Sequence, residues 1–443
     1  MKSLGKSLRI MPHGRTAIGI DVGSRAIKVA QLAKSGSFPS TLLKTGLSLM
    51  GRGASRSSAN SSDQSYQIVA LSMLPRTKAG LIEAGQQVDS IRDPVRDPVF
   101  DSEAQTRRES NGLSVPDSTR ASNRLDRQEI INIRAVLRRQ GFCGNDIVLA
   151  VPEKQLLHGV FEIPPATSGQ AADREEMIFQ IARMELSRMH GVAPDSFEMA
   201  CWPLGGWPLG GQDESKSTHR GGQAIAVGCP HDVANELLDL FEGAGFNVRA
   251  LDLRSAAAAR ACMSLSVQPP ALTAILDLGW SSTKLLFVCG GTVVYERCLT
   301  NKSISHITTK LSGMFGITEQ SADQTISTIG LVTNSETGDY DQQSTEAIRK
   351  ILTKHFDVML EELKTPFDYA SHQYPGEGVK RLLLIGGGAR IFGLSKYIQE
   401  ALGIEVVTAA PGDLVGHSES QILAKLSHPA MTVAVGLAMF NGE

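Results

Sequence analysis

Two short stretches of the chain carry the same pattern of chemistry-bearing residues. Gly19 to Leu32 reads GIDVGSRAIKVAQL and Thr273 to Val288 reads TAILDLGWSSTKLLFV, so that Asp21, Gly23 and Lys28 recur as Asp277, Gly279 and Lys284. In each, an apolar strand ends in Asp-x-Gly and turns at once into a second apolar strand. Glycine at such a turn removes the Cβ that would block close approach, and the surrounding backbone N–H groups form a concavity that suits phosphate oxygens. Asp21 and its counterpart Asp277, each at a strand end, can hold the waters of a bound Mg²⁺, an ion that takes few carboxylates and keeps several waters. Ser24 and Lys28 add donors beside the first turn, while Asp277, Gly279, Ser281, Ser282 and Thr283 supply the second. Either stretch alone reads more simply as a tight turn with a capping aspartate. Two copies at matching spacing read as the two jaws of a duplicated fold, clamping a polyphosphate from both sides.

A third stretch, Ile385 to Arg390, places Gly386, Gly387 and Gly388 between an apolar strand and an amphipathic helix, followed by Arg390. A dinucleotide fingerprint of the form GxGxxG would need glycine at Ile391, so the Rossmann reading fails. A glycine turn of this kind can lie flat against a nucleoside, with the Arg390 guanidinium stacked on the base. Gly5-Lys6-Ser7 resembles the tail of a phosphate-binding loop whose first glycine would precede Met1. No GxSxG occurs, and Cys229 with His231 lacks further ligands, so a structural role fits that pair best.

The elements that must carry these turns follow from periodicity. Helical spacing appears in EIINIRAVLRRQGF, with Ile130, Ile133 and Leu137 on one face and Gly141 as the stop, and in ANELLDLFEGAGF, closed by Gly245. Ile348, Leu352, Phe356 and Leu360 step along a further helix within 303–374. Strands are expected at QIVALSML, DIVLAVP, FEMACWPL and QAIAVGCP, and RLLLIGGGARIFGLSKYIQEALGIEVV reads as strand, glycine turn, helix, strand. Met177, Ile181 and Met184 share a helical face, which is expected to fill a core. Polar, Ser-, Gly- and Arg-bearing text at 35–65 and 76–123 cannot bury enough apolar surface to offset its ordering, and both are expected to be disordered insertions.

Composition sets the class. With 443 residues the chain exceeds the size at which one core keeps growing, so more than one domain is expected. A net charge of −2, 20% charged and 5% aromatic residues give no footprint for nucleic acid. Six cysteines without a CxxC pair or a Cys/His cluster fit reduced thiols in a cytoplasm. No secretory signal is expected at the N-terminus, and no run reaches the roughly 18 apolar residues of a membrane span. The apolar run from Ala430 to Phe440 reads as a buried helix.

The two hairpins, the GGGAR turn and the small-residue terminal helix together resemble the duplicated, ribonuclease-H-like nucleotide-binding fold of actin, Hsp70 and the sugar kinases. Within it, EIPP with its following helix, GGGARIFGLSKYIQEALGIEV and HPAMTVAVGLAM resemble the PilM family of type IV pilus assembly proteins, itself related to FtsA. The resemblance implies a first lobe over 1–147, an inserted α+β module over 148–250, a first-lobe linking helix over 251–270, a second lobe over 271–302 and 379–424 with a helical subdomain at 303–378, and a closing first-lobe helix at 425–443. It implies ATP with Mg²⁺ in the cleft, bound by Asp21, Gly23, Ser24, Asp277, Gly279, Thr283, Gly387, Gly388 and Arg390. It implies a partner, the cytoplasmic N-terminal tail of a PilN-like inner-membrane protein held beside the module, other pilus platform proteins, and filament formation as an open option.

Three departures mark this chain within that family. Asn301-Lys302-Ser303 stands where the family carries a Gly-Gly-acidic turn, Arg254 where an acidic residue is expected, and two long insertions precede Asp126. Asp252 is then the weak remaining candidate for positioning a water, so ATP binding with slow or absent hydrolysis is expected. Arg254 is read as an added positive charge near the cleft. A small-molecule kinase of the same superfamily, or a nucleotide-free pilus or secretion scaffold, are the alternatives.

Overall fold

The computed structural model describes residues 14–34, 66–76, 125–163, 171–204, 222–269, 271–332, 341–373, 378–417 and 423–441. The polar stretches expected as insertions at 35–65 and 76–123 lie outside these residues, except for Arg76. That residue is buried, and its Nε donates to Glu129 at 3.0 Å, so it belongs to the folded lobe rather than to the insertion.

The first sheet begins with β1 (Ile18–Val22), β2 (Ala26–Lys34) and β3 (Tyr66–Pro75), an antiparallel meander. After α1 (Arg127–Arg139), whose N-terminus is capped by the Asp126 carboxylate, the chain returns as β4 (Asp146–Ala150), parallel to β1. It then leaves the sheet to build β5 (Leu157–Ile163), α2 (Ala171–His190), β6 (Phe197–Pro203) and β7 (Gly222–Pro230), a separate three-stranded sheet in the order β5-β7-β6 with its own core of Phe161, Leu186 and Phe197. It comes back through α3 (His231–Gly243) to β8 (Asn247–Asp252), parallel to β4. The separate sheet therefore occupies 157–230. Its flanks within 148–250 serve the first lobe, because β4 and β8 complete the first sheet and α3 packs Phe241 against Ile130 and Ile133 of α1.

The second sheet repeats this plan. β9 (Leu272–Leu278), β10 (Thr283–Cys289) and β11 (Thr292–Leu299) form the meander, and β12 (Val379–Ile385) and β13 (Glu405–Thr408) add in parallel. The orders β3-β2-β1-β4-β8 and β11-β10-β9-β12-β13 are the same topology twice. Between β11 and β12 run α5 (Ile304–Phe315), α6 (Glu319–Ile329) and α7 (Gln342–Gln373), and α8 (Leu394–Leu402) joins β12 to β13. Their apolar faces, including Ile348, Leu352, Phe356 and Leu360, cover one face of the sheet.

Two short helices of small residues fill the space between the sheets. α4 (Arg254–Ala261, RSAAAARA) and α9 (Thr432–Ala438, TVAVGLA) contribute Ala257, Ala258, Val433 and Leu437 to a core shared with Val148 of the first sheet and Ile275, Leu286 and Leu383 of the second. Small side chains are required because the backbones nearly touch. A Cβ on Gly436 would overlap the carbonyl of Ala257, and one on Gly19 of β1 would overlap the backbone of Ala434 and Ala438.

The methionines of α2 differ from the expectation. Met177 and Met184 are exposed, as is Met189, and the helix buries Ala182 and Leu186 instead. Ile178 and Ile181 pack against the same core only in part, so one edge of the apolar stripe stays in solvent.

Candidate functional site

The repeated Asp-to-Lys spacing is a consequence of β-register. In the first hairpin Asp21 stands opposite Lys28, and in the second Asp277 stands opposite Lys284. Both turns close with the same bond, from Gly23 N–H to the Ala26 carbonyl at 3.0 Å and from Gly279 N–H to the Ser282 carbonyl at 2.9 Å. The glycines are needed for the turns themselves: a Cβ would stand 2.9 Å from the Ala26 oxygen at Gly23 and 2.6 Å from the Ser282 oxygen at Gly279. Their own N–H groups are thereby committed to the hairpins. Ser24 and Ser282 are half-buried and Ser281 is exposed at the turns. Thr283 is turned away, because its buried hydroxyl donates to the Lys302 carbonyl at 2.7 Å.

The third turn meets the second hairpin. Gly386 has φ 84°, and a Cβ there would collide with the Asp277 carboxylate and stand 2.7 Å from the Leu278 carbonyl. Gly388 packs on Ile304, whereas Gly387 is exposed with no atom near its missing Cβ. Arg390, also exposed, lies 3.1 Å from Nε2 of His428. Burial, helped by the charges of Arg390 and Lys28, pushes the His428 imidazole down to about 4. The three sequence motifs thus converge on one cleft.

Charge within that cleft is arranged differently from the sequence expectation. Asp21 is fully buried, and its two oxygens accept from Arg254 and, at 3.2 Å, from Lys28. The Arg254 guanidinium also reaches Asp277 at 3.4 Å and Glu153 at 3.3 Å. Lys284, the counterpart of Lys28, does not pair with Asp277 but with Glu153 at 2.9 Å and with Glu296. Burial lowers the Lys28 ammonium from its usual range, an effect that Asp277 opposes. Burial raises the Glu153 carboxyl, against the pull of Lys284. A second bridge crosses the mouth: Arg25 of the first turn lies 3.4 Å over the Trp280 ring of the second and pairs with Asp323 of α6 at 3.1 Å.

These groups fit a polyphosphate better than they fit Mg²⁺. Arg390 is exposed one turn after the open face of Gly387, and Lys28 and Arg254 lie at the neighbouring strand ends, donors that suit an anion. A hydrated Mg²⁺ on Asp21 would need carboxylate oxygens that Lys28 and Arg254 already hold, and Arg254 also takes one oxygen of Asp277. The metal-holding role expected of Asp21 and Asp277 is therefore not supported by this geometry.

Asp252 is likewise committed elsewhere. Its carboxylate accepts from Leu253 N–H at 2.7 Å and from Arg260 at 3.0 Å, and Arg260 in turn donates to the Gly436 carbonyl at 2.7 Å. It ties α4 to α9 and is not placed to position a water. Residues missed by motif reading are Glu153, Arg25 and Trp280, whose partners are far away in sequence; only the unexpected arginine at 254 was a visible signal.

At the departure from the Gly-Gly-acidic turn, Asn301 has φ 57°, the one non-glycine residue among those described with a positive φ. Asparagine tolerates this left-handed conformation better than other side chains. Asn301→Ala is expected to cost about 1 kcal/mol and Asn301→Gly to be neutral or better, as read by urea unfolding.

The histidines set a pH dependence. His355 is also pushed down to about 4, chiefly by burial with nearby Lys302, Lys310 and His306. Because both folded values lie below the ordinary 6.5, the unfolded chain takes up protons first as pH falls. Their contribution to stability is present above that value and lost toward about 4. Melting temperatures should fall across this window, and the slope should flatten in a His355→Gln/His428→Asn variant.

The two sheets of one topology, with hairpins facing across a cleft, define an actin-like α/β protein of two lobes. The family model described as Type IV pilus assembly protein PilM matches residues 212–441, and the chain belongs to this family. A solved PilM-PilN type IV pilus biogenesis complex superposes with a TM-score of 0.61 at 15% identity, covering 96% of this chain and 98% of that one; at this identity the likeness shows the fold. More distant are the ethanolamine utilization protein EutJ from Carboxydothermus hydrogenoformans (TM-score 0.45, 14% identity, 97% and 91% covered) and ADP-bound MreB5 of Spiroplasma citri (0.44, 14%, 96% and 96%). A search of curated protein sequences gave no match. No helix among the described residues is long and apolar enough to cross a membrane.

Proposed function

We propose that the chain is an actin-like adaptor of type IV pilus assembly that takes ATP in its cleft, turns it over slowly or not at all, and docks on the cytoplasmic tail of a PilN-like inner-membrane protein. The observation that carries the nucleotide half is the convergence of both hairpin turns and the GGGAR turn on one cleft, with Gly386 against Asp277 and Arg390 beside His428. Slow turnover is supported by Asp252, held by Arg260, and by the absence of an uncommitted carboxylate among the described residues of the cleft. Asp21, Gly23, Ser24, Lys28, Asp277, Gly279, Ser281, Ser282, Gly386 to Gly388 and Arg390 remain the proposed cofactor-binding set, Thr283 being turned away.

The partner half rests on family membership and on the solved complex with PilN. A cavity of 290 Å³ lies beside the inserted sheet, lined by Trp202, Arg260, Met263 and the Gly291–Val293 turn, and offers a place for an extended tail. On this reading the chain sits on the cytoplasmic face of the inner membrane, peripheral to it.

Two measurements test the proposal. Fluorescence anisotropy with a labelled peptide of the partner's N-terminal tail should show saturable binding, weakened about tenfold or more by Trp202→Ala. Calorimetric titration with ATP, followed by an ADP assay, should show binding without appreciable turnover. A folded chain that ignores the tail peptide would sink the adaptor reading; one that ignores ATP would leave a nucleotide-free scaffold, which the Arg25–Trp280 bridge across the mouth favours.

A further inference from the structure

Carboxylates from three separate elements converge on one guanidinium in this cleft. Arg254 opens α4 and is met by Asp21 from the end of β1, Asp277 from the end of β9, and Glu153 from the turn after β4. Asp21 has no exposure to water, so its charge must be matched inside the protein. Lys28 and Arg254 supply that match. Across the whole cluster, Asp21, Asp277, Glu153 and Glu296 face the basic side chains of Lys28, Arg254 and Lys284.

We propose that Arg254 is a built-in counter-ion, its guanidinium standing between Asp21 and Asp277 where a hydrated divalent cation would otherwise sit, so that the cleft excludes divalent metal and takes a polyphosphate without it. Two carboxylates at facing strand ends would otherwise be the natural oxygen ligands of a hard cation. Arginine keeps its charge at any working pH, and its planar fork presents donors to carboxylate and phosphate alike. A divalent ion could enter only by expelling Arg254 from three acceptors, which would leave a guanidinium unpaired in a largely buried site. The anion half of this inference rests on the proposed nucleotide site; the cation half does not.

The test uses the full chain and Mn²⁺ alone, followed by electron paramagnetic resonance. Wild type is expected to show no Asp21-dependent Mn²⁺ binding below about 1 mM, whereas Arg254→Gln gains about tenfold or more in affinity, lost again with Asp21→Asn. Should Arg254→Gln fail to fold, Arg254→Lys, which keeps the cation, is expected to fold and remain silent to Mn²⁺. In calorimetry, ATP should bind wild type with the same affinity, within about twofold, in Mg²⁺ and in EDTA. Mn²⁺ binding to wild type at tens of micromolar that vanishes in Asp21→Asn would overturn the inference. So would an ATP affinity about tenfold lower in EDTA, or a folded Arg254→Gln that gains no Mn²⁺ site. If ATP binds in neither condition, the nucleotide reading fails and the Mn²⁺ titrations alone decide on Arg254.

Discussion

Gly436→Val is expected to abolish the folded state or to cost more than about 3 kcal/mol. A side chain at this position would occupy the volume of the Ala257 carbonyl and carbon, which belong to the backbone of α4 and cannot swing aside. Where α4 and α9 meet, both present small residues, so neither has a flexible side chain to yield at Gly436. Soluble yield and thermal unfolding followed by circular dichroism check the expectation, and an unchanged melting temperature would contradict the packing described. Gly387→Ala is the matched control. It has open space around the missing Cβ, so stability should hold while any loss of ATP affinity reports on the cleft.

The second large effect is expected at Asp21. Asp21→Ala removes the common partner of Lys28 and Arg254, and breaking a buried pair by deleting one member typically costs about 3–5 kcal/mol because a charge is left uncompensated. Here two charges lose their partner, although Arg254 retains Asp277 and Glu153. Urea unfolding should place Asp21→Ala well below wild type, and Asp21→Ala/Arg254→Ala should recover part of the loss, a coupling that a double-mutant cycle isolates. If the single variant unfolds at the wild-type midpoint, Asp21 is not the buried acceptor described.

Much of this protein was written in local pattern. Alternation and short apolar runs mark β1, β2, β9, β10 and β12, and the period of 3.6 marks α1 and α7, with Asp126 and Gly141 at the ends of the former. The seven-residue step from Asp21 to Lys28 and from Asp277 to Lys284 was legible because a two-strand hairpin enforces it through register. Duplication was legible for the same reason, and with it the cleft.

Partners across the chain were decided only by the tertiary structure. Nothing near Asp21 in sequence announces that Arg254 will neutralise it, or that Lys284 will turn from Asp277 to Glu153 and Glu296. Ion pairing depends on distance and burial once every element is packed, and both are properties of the whole fold. Likewise Thr283 reads as a phosphate donor until the Lys302 carbonyl is found beside it, and the α2 methionines read as core until Ala182 and Leu186 are found to face the sheet instead. Strands, turns and repeats follow from the spacing of residue types along the chain; which charges end up facing each other follows from how separate elements pack, as between Asp21 and Arg254, 233 positions apart.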